Sequence, residues 1–488
     1  MKSLIINTMC IITMVSLANR TIGQQTYKLN FNKDKFVVQT LSLEGKEIKV
    51  RAFENIVYAA NPTDTTYQKL NIYIPDQYFN GQSINGYDAQ TAPIFFPNQI
   101  GGYMAAKPAS LAVGNREFQR PSAILAALSR GYVVVSAGAR GRSTQSKEGK
   151  FTGKAPAGIV DLKAAIRYLK YNDAAMPGNA SKIISNGTSA GGAMSTLLGA
   201  TGNNRDYEPY LTAIGAAPAK DDVYAVSAYC PITNLDNADM AYEWQFCGTN
   251  TYRKWRPGPD NMRESSELST RQIAESKQLK ELFPAYVNGL QLKDKTNNLL
   301  TLDKNGDGPF KDLVKMYVGI SAQKALEGGT DMTKYPFLTI AGGKVQKIDF
   351  EAYVKYMERQ KAPPAFDALD LSTPENQEFG TESNDKQHFT DYAMKNSELS
   401  ASLADKQVVK MMNPMYYIGR TGTSVAQHWR IRHGSKDKDT GLAIPVILST
   451  FLQNNGIDVD FALPWDRPHS GDYDLEELFN WMDKVCKQ

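Results

Sequence analysis

A serine surrounded by very small residues constrains the fold of this chain more than any other feature. Residues 187–191 read GTSAG and fit the pattern G-x-S-x-G. In that pattern the serine lies in a strained turn between a strand and a helix, where larger neighbours would clash with both elements. The preceding residues 182–185, KIIS, are typical of a short strand. We therefore predict a strand, a tight turn and a helix that meet at Ser189, with Ser189 as a nucleophile rather than part of a linker.

Apolar runs alternate with helical patterns on both sides of a more polar middle. The runs 92–97 and 131–138 are followed by 158–171, where leucine and isoleucine recur at helical spacing. The alternation returns with strand-like residues at 428–434 and 458–464. Strands of a parallel sheet read as continuous apolar runs because helices cover both of their faces. The pattern predicts an α/β fold with a mainly parallel, doubly wound sheet.

The middle of the chain, 235–410, is richer in Lys, Asp, Asn and Gln than its flanks. At 488 residues the chain exceeds one ordinary domain, and large α/β enzymes often grow by insertion into one core. We predict a core built from residues 24–234 and 411–488, with 235–410 inserted as a large cap, or lid, that helps to bind substrate.

The first 23 residues have the pattern of a secretory signal peptide. A lysine precedes an apolar run from Leu4 to Leu17, and small residues follow. The run is too short, and wrongly flanked, for a membrane-spanning helix. We expect residues 1–23 to be removed and the mature protein to be secreted or periplasmic.

Removal of that segment would leave three cysteines, Cys230, Cys247 and Cys486. An odd count in an oxidising compartment leaves at least one thiol unpaired. Cys230 and Cys247 are the candidate pair because both lie in one loop-rich stretch, but the sequence leaves open whether they form a disulfide.

The charge balance argues against a polyanionic partner. Lysine and arginine number 55 against 51 aspartates and glutamates, and the net charge of +4 is small for this length. We expect neither nucleic acid nor a membrane as a partner of the mature protein. A small, weakly charged molecule is the expected substrate.

A serine hydroxyl is a poor nucleophile at neutral pH and needs a base within hydrogen-bond reach. The chain has four histidines: His388, His428, His433 and His469. Enzymes with this serine motif carry the base on a loop after the last strand. His469 lies there, between 458–464 and a final amphipathic helix, and is the predicted base. We expect His428 and His433 to be packing or surface residues.

The base needs a carboxylate that fixes its tautomer. We expect this carboxylate on the loop that follows the strand before the last one. Asp437 and Asp439 both follow 428–434. We choose Asp437 because it is nearer the end of the strand, where the position is better fixed. Asp466 and Asp472 share the loop of His469 and are poorer candidates. The alternative is that the pair belongs to a solvated run of charges.

Two backbone N–H groups must stabilise the oxyanion of an acyl transfer. Ala190, directly after the nucleophile, supplies one. The second is expected from the loop after 92–97, where NQIGGYM offers Gly101 and Gly102; we choose Gly102. The alternative for this loop is an ordinary glycine turn.

Six stretches resemble bacterial subtype B tannases, which are α/β hydrolases that split galloyl esters. These are FFPNQIGGYM, GARGR, GTSAGGAMS, NLDNADMAYEW, RHGSKDKDTGLAIPVIL and PHSGDYDLEELFNW, and they span most of the chain in order. The resemblance implies the α/β-hydrolase fold and an acyl-serine route on galloyl esters and depsides, with Ser189, Asp437 and His469 as nucleophile, acid and base.

The resemblance also implies that Lys361, Glu375 and Asp439 hydrogen-bond the three phenolic hydroxyls of gallate. Carboxylates accept from phenolic donors, and a lysine stabilises partial loss of a phenolic proton. A site built around those hydroxyls can reject esters that lack them. From the residues alone, Lys361 would be interpreted as the end of a helix.

A separate stretch, DKNGDG at 303–308, matches the opening of a calcium loop with Asp303, Asn305 and Asp307. The twelfth position, where calcium loops carry a bidentate acid, is Val314. A turn stabilised by its own side-chain to backbone bonds is favoured. We therefore expect no cofactor, with calcium at this loop as the alternative.

Other functions remain open. A feruloyl or carbohydrate ester hydrolase would use the same scaffold and the same three residues. A serine peptidase is disfavoured because no propeller-like repeat is found. An exported, non-catalytic binding protein is disfavoured because such relatives usually lose the serine or the histidine, and here all three candidates are present.

Overall fold

The computed structural model describes residues 26–111, 122–254 and 264–487. The predicted signal peptide at 1–23 lies outside the described residues. The described strands are β1 Val37–Leu43, β2 Lys46–Val57, β3 Lys69–Pro75, β4 Pro93–Pro97, β5 Val133–Ala137, β6 Asn179–Thr188, β7 Ala225–Tyr229, β8 Thr251–Lys254, β9 Glu264–Glu267, β10 Leu338–Ala341, β11 Lys344–Ile348, β12 His428–Arg432 and β13 Asp458–Ala462.

The described α-helices are α1 Ala123–Ser129, α2 Ala157–Tyr171, α3 Ala190–Ala200, α4 Glu208–Ala213, α5 Leu235–Phe246, α6 Thr270–Gly289, α7 Pro309–Glu327, α8 Phe350–Met357, α9 Pro374–Glu378, α10 Asp391–Lys395, α11 Lys406–Met411, α12 Ala443–Asn454 and α13 Leu475–Cys486. No described helix has both the length and the apolar character needed to cross a bilayer.

Nine strands form one sheet in the order β1-β2-β3-β5-β4-β6-β7-β12-β13. The strands β5, β4, β6, β7, β12 and β13 run parallel to one another, whereas β1–β2, β2–β3 and β3–β5 are antiparallel pairs. The predicted α/β fold with a mainly parallel sheet is confirmed. The antiparallel strands at its edge were not predicted.

Helices cover both faces of this sheet. Phe479 of α13 contacts Phe95 of β4 with 5.5 Å between ring centroids. On another strand, Gly199 of α3 lies against Val226 of β7. Through β6, Phe95 aligns with Ala225, the residue before Val226. The side chains of successive residues in a strand point to opposite faces of the sheet, so Phe95 and Val226 lie on opposite faces. The sheet is therefore doubly wound, with its core on both sides.

Helices are the main regular elements of the segment between β7 and β12. Its described strands pair only with each other, β8 with β9 and β10 with β11. Trp244 of α5 packs on Phe283, Phe310 and Phe350, with ring centroids 5.3 to 6.0 Å apart. This segment thus has apolar packing of its own. The boundaries 24–234, 235–410 and 411–488 stay a prediction.

Cys230 and Cys247 are free thiols, so they do not form the disulfide that the sequence left open. Sixteen residues separate them in the chain, and 12 of these form α5. Cys230 instead lies buried at the end of β7.

The loop 303–308 forms a turn held by its own aspartate. The Oδ1 atom of Asp303 accepts the backbone N–H groups of Asn305 at 2.8 Å and Asp307 at 2.9 Å. The carboxylate of Asp307 pairs with Lys311 at 2.6 Å. These bonds match the predicted turn, and the expectation of no calcium there stays a prediction.

Candidate active site

Ser189 lies in a strained turn between β6 and α3. Its backbone has φ 62° and ψ −125°, a region that residues with a side chain rarely adopt. A Cβ on Gly187 would overlap the carbonyl oxygen of Gly191, and one on Gly191 would lie 2.7 Å from the carbonyl oxygen of Ile100. The predicted strand, turn and helix are confirmed, and packing explains the small residues around the serine.

Asn98, which sequence reasoning missed, stabilises this turn by hydrogen bonds. Its buried Nδ2 group donates to the carbonyl oxygens of Asn186 at 3.1 Å and Gly191 at 3.0 Å. Its Oδ1 atom accepts the N–H of Ile100 at 3.3 Å. Asn98 therefore links the turn to the loop of Gly102. Its position directly after the buried strand β4 was the available signal.

His469 and Asp437 are hydrogen-bonded. The Nδ1 atom of His469 lies 2.8 Å from Oδ2 of Asp437 and 3.8 Å from Oδ2 of Asp439. Asp437 is fully buried, whereas His469 is partly exposed. Of the two candidate aspartates, Asp437 is the one placed to orient the imidazole.

The loop of His469 is fixed against the strand that carries the serine. A Cβ on Gly471 would overlap the hydroxyl of Thr188, the residue before Ser189. The Nδ2 group of Asn186 donates to Oδ1 of Asp472 at 3.1 Å. These contacts bring the loops after β6, β12 and β13 together at the carboxyl edge of the sheet, where ligands bind in α/β folds.

A cavity of about 860 Å³ opens beside Ser189. Its lining includes five of the predicted site residues, namely Gly102, Ser189, Lys361, Glu375 and Asp439. Ala190 is buried at the first position of α3, where its N–H has no acceptor within the helix. Asp437 lies behind the cavity wall rather than on it.

The chain is similar to several known proteins. A family model described as BD-FAE matches residues 111–277. None of the curated proteins compared with the chain matches it. Among solved structures, a tannin acyl hydrolase from Lactobacillus plantarum is 48% identical, with a TM-score of 0.90, over 94% of this chain and 99% of that chain.

The tannase from Fusobacterium nucleatum is also 48% identical, with a TM-score of 0.91, over 94% of this chain and 100% of that one. A third structure, a tannin acyl hydrolase in complex with ethyl gallate, is 47% identical with a TM-score of 0.89, over 94% and 99% of the two chains.

The chain belongs to the tannase family. The expected resemblance and the α/β-hydrolase fold are confirmed, and the protein is a carboxylic ester hydrolase.

One wall of this tannase-family cavity is charged. Burial raises the pKa of Glu375, and the neighbouring Lys361 and Arg142 cations oppose that shift. The ammonium group of Lys361 lies 4.0 Å from the ring centroid of Phe366. Helix α8 ends at Met357, so Lys361 follows the helix and is not part of its last turn.

Gln360, a second residue that sequence reasoning missed, positions this wall. Its Nε2 group donates to Oδ1 of Asp439 at 2.6 Å. The hydroxyl oxygen of Tyr242 accepts the backbone N–H groups of Gln360 and Lys361, each at 3.1 Å. Adjacent backbone and side-chain bonds thus hold Lys361 and Asp439 in one fixed arrangement.

The charges behind the tannase-family serine favour an ionised aspartate and a basic imidazole. Burial would lower the pKa of His469, but the Asp437 and Asp439 carboxylates together outweigh it and raise that pKa above the ordinary value. Burial would likewise raise the pKa of Asp437, yet contacts with His433, His469 and Cys230 hold it well below its usual range.

Two groups of three side chains in the described part of the chain have the donor spacing of a metal site. They are Cys230 with His433 and Asp437, and Asp437 with Asp439 and His469. His433 was expected to be a packing or surface residue, and it is fully buried. No sequence signal indicated that it lies beside Asp437.

Proposed function

We propose that this protein is a secreted serine esterase that hydrolyses the galloyl ester and depside bonds of tannins through an acyl-serine intermediate. The observation that carries the proposal is the single cavity shared by Ser189, Lys361, Glu375 and Asp439. It is supported by relatives described as tannases, one of them in complex with ethyl gallate.

The reaction begins when the hydroxyl oxygen of Ser189 attacks the ester carbonyl. His469 accepts the hydroxyl proton at Nε2 and later donates it to the leaving alcohol. Asp437 accepts the Nδ1–H bond and stabilises the imidazolium that forms. Water, deprotonated by the same imidazole, then hydrolyses galloyl-serine and releases gallate.

Backbone donors stabilise the oxyanion of each tetrahedral intermediate. The N–H of Ala190 points from the first turn of α3, whose positive dipole end favours a negative oxygen. Gly102 supplies the second N–H from a cavity-lining position with φ 53°. Loss of one such donor costs about 3 kcal/mol of transition-state stabilisation.

Lys361, Glu375 and Asp439 recognise the galloyl ring. The carboxylates accept hydrogen bonds from phenolic O–H groups, and the ammonium group of Lys361 offsets their negative charge. An acyl group without these hydroxyls leaves the buried Glu375 without its partner, which is costly. The cavity of about 860 Å³ leaves room beside the ring for the leaving alcohol.

The deciding experiment compares initial rates on methyl gallate and methyl ferulate, with Ser189→Ala as the blank. Strong preference for methyl gallate supports the proposal. Preference for methyl ferulate would make the protein a feruloyl esterase with the same nucleophile and would refute the gallate role of Lys361, Glu375 and Asp439. No activity on either would favour other acyl groups or a binding role.

The mechanism uses no metal or cofactor, so dialysis against EDTA should not lower the rate. A loss restored by Ca²⁺ would instead assign calcium to the loop of Asp303, Asn305 and Asp307. Export is tested by the N-terminus of the protein recovered outside the cytoplasm, which should begin near residue 24. Recovery of the intact N-terminus would contradict signal removal.

A further inference from the structure

Behind the proposed catalytic residues lies a buried cluster of three metal-binding side chains. Cys230 follows β7, whereas His433 and Asp437 lie on the same loop, which follows β12. All three side chains are fully buried. Their donor atoms, one from each residue, lie within 4.8 Å of one another. The parallel register of β7 and β12 creates this proximity, because both strands end at the same edge of the sheet.

His433 is the member without a hydrogen-bond partner. Neither ring nitrogen makes a hydrogen bond within the part of the chain that the structure describes. Its Nδ1 atom lies 3.8 Å from Oδ2 of Asp437, beyond hydrogen-bond distance. A buried polar group without a partner is rare and calls for an explanation. Burial also lowers the pKa of His433, and the nearby Asp437 carboxylate opposes that shift.

The other histidines differ in this respect. His388 has a partner at each ring nitrogen, Asp367 at 2.7 Å and Ser397 at 2.8 Å. His428 contacts Asp458 at 3.0 Å at the opposite edge of the sheet. His428 is therefore a suitable control for binding by an imidazole outside the cluster.

We propose that Cys230, His433 and Asp437 form an inhibitory site for a borderline-soft divalent cation such as Zn²⁺ or Cd²⁺. A thiolate, an imidazole and a carboxylate are ligands that Zn²⁺ takes in tetrahedral sites, in which a water molecule can supply the fourth ligand. Modest movement of the three side chains brings the donors to bonding distance.

Binding releases one proton. The Cys230 thiol is neutral in the metal-free protein, because burial raises its pKa well above the usual value. The S–H bond breaks, its electron pair forms the bond from sulfur to the metal, and the proton passes to solvent.

The metal would inhibit the enzyme because it binds the same carboxylate oxygen of Asp437 that holds His469. The Oδ2 atom of Asp437 accepts the Nδ1–H bond of His469 at 2.8 Å, and it is also the carboxylate oxygen near His433. A cation at this oxygen withdraws the negative charge that keeps His469 basic. Because the ion does not enter the substrate cavity, kcat should fall while KM stays the same. This step rests on the proposed role of Asp437.

Binding is tested separately from activity, with the full chain carrying Ser189→Ala and Co²⁺ as a spectroscopic probe. We expect one Co²⁺ per chain, with a thiolate-to-cobalt charge-transfer band that Zn²⁺ abolishes. Adding Cys230→Ala or His433→Asn should remove the band, and adding His428→Asn should leave it. A missing band, or a band that survives His433→Asn, would overturn the site.

Inhibition is tested with Zn²⁺ on methyl gallate hydrolysis by the otherwise unmodified protein. We expect a lower kcat, an unchanged KM and recovery with EDTA. The rates of His433→Asn are compared with its own metal-free rate. This variant should need at least about tenfold more Zn²⁺ for half-maximal inhibition, because even a residue that only contacts a metal ligand contributes that much to affinity. Equal sensitivity in both proteins would refute inhibition at this cluster. If methyl gallate is not hydrolysed at all, the proposed function fails, and the cobalt spectra still decide the metal site.

Discussion

Asp439 donates its backbone N–H to Oδ1 of Asp437 at a distance of 2.9 Å. The residue proposed to bind the substrate therefore also orients the residue proposed to hold the catalytic imidazole. The two roles use different atoms, because the carboxylate of Asp439 faces the cavity and its backbone faces Asp437. Side-chain substitution can thus separate substrate recognition from catalysis.

Asp439→Ala keeps the backbone N–H and removes only the carboxylate. We expect kcat/KM for methyl gallate to fall by about 10-fold to 100-fold, because one charged hydrogen bond is worth about 1.5–3 kcal/mol. Hydrolysis of a simple aryl ester such as 4-nitrophenyl acetate should change little. Steady-state kinetics on both substrates provide the check, and equal losses on the two would discard the recognition role.

Ser189→Ala should lower kcat by about 10⁶, the loss found when a triad nucleophile is removed. The backbone of the turn should be unchanged, because alanine also carries a Cβ and keeps the same strain. Circular dichroism and thermal unfolding provide the control for folding. A variant that retains more than about one hundredth of the activity would exclude Ser189 as the nucleophile.

The pH dependence should report the pKa of His469. The base acts only when neutral, so kcat/KM falls as the pH drops through that pKa. The Asp437 carboxylate raises it, so the acid limb should have its midpoint above the ordinary histidine value of about 6.5.

Asp437→Asn removes the charge that raises the pKa of His469. We expect a fall in kcat of about 10⁴ and a shift of the acid limb to lower pH. Rates measured from pH 5 to 9 would show both effects. An acid limb at the same pH in the variant would mean that another group titrates.

Asn98→Ala tests the support beneath the turn. The carbonyl oxygens of Asn186 and Gly191 would both lose a buried donor. We expect the free energy of unfolding to fall by about 1–3 kcal/mol, measured by urea denaturation, together with a lower kcat. Asn98→Asp, which keeps the size but not the donor, should behave alike; wild-type stability in both variants would contradict the supporting role.

Local patterns predicted the elements that carry the site. The continuous apolar runs predicted β4 and β5, the strand-like residues 428–434 and 458–464 predicted β12 and β13, and helical spacing predicted α2. The residues GTSAG predicted the strained turn at Ser189, because a positive φ and two close backbone approaches exclude larger neighbours. These features depend on residues adjacent in the chain, so the sequence reveals them directly.

Contacts among separate loops were beyond such reasoning. The sequence offered Asp437 and Asp439 on equal chemical terms, and only the fold places the carboxylate of Asp437 2.8 Å from His469. His433 carried no pattern that linked it to Asp437, and the position of Asn98 directly after β4 did not show that it supports the turn at Ser189.

By itself, then, the sequence determined the alternation of strands and helices, the strained turn and the family resemblance. The sequence favoured Asp437 over Asp439 by its position, but only the tertiary structure shows its contact with His469. The tertiary structure alone also decided how Asn98 supports the turn, and that Cys230 lies beside His433 rather than bonded to Cys247. The physical reason is that periodicity and turn chemistry act between neighbours in the chain, whereas these contacts depend on the register of β6, β7, β12 and β13 at one edge of the sheet.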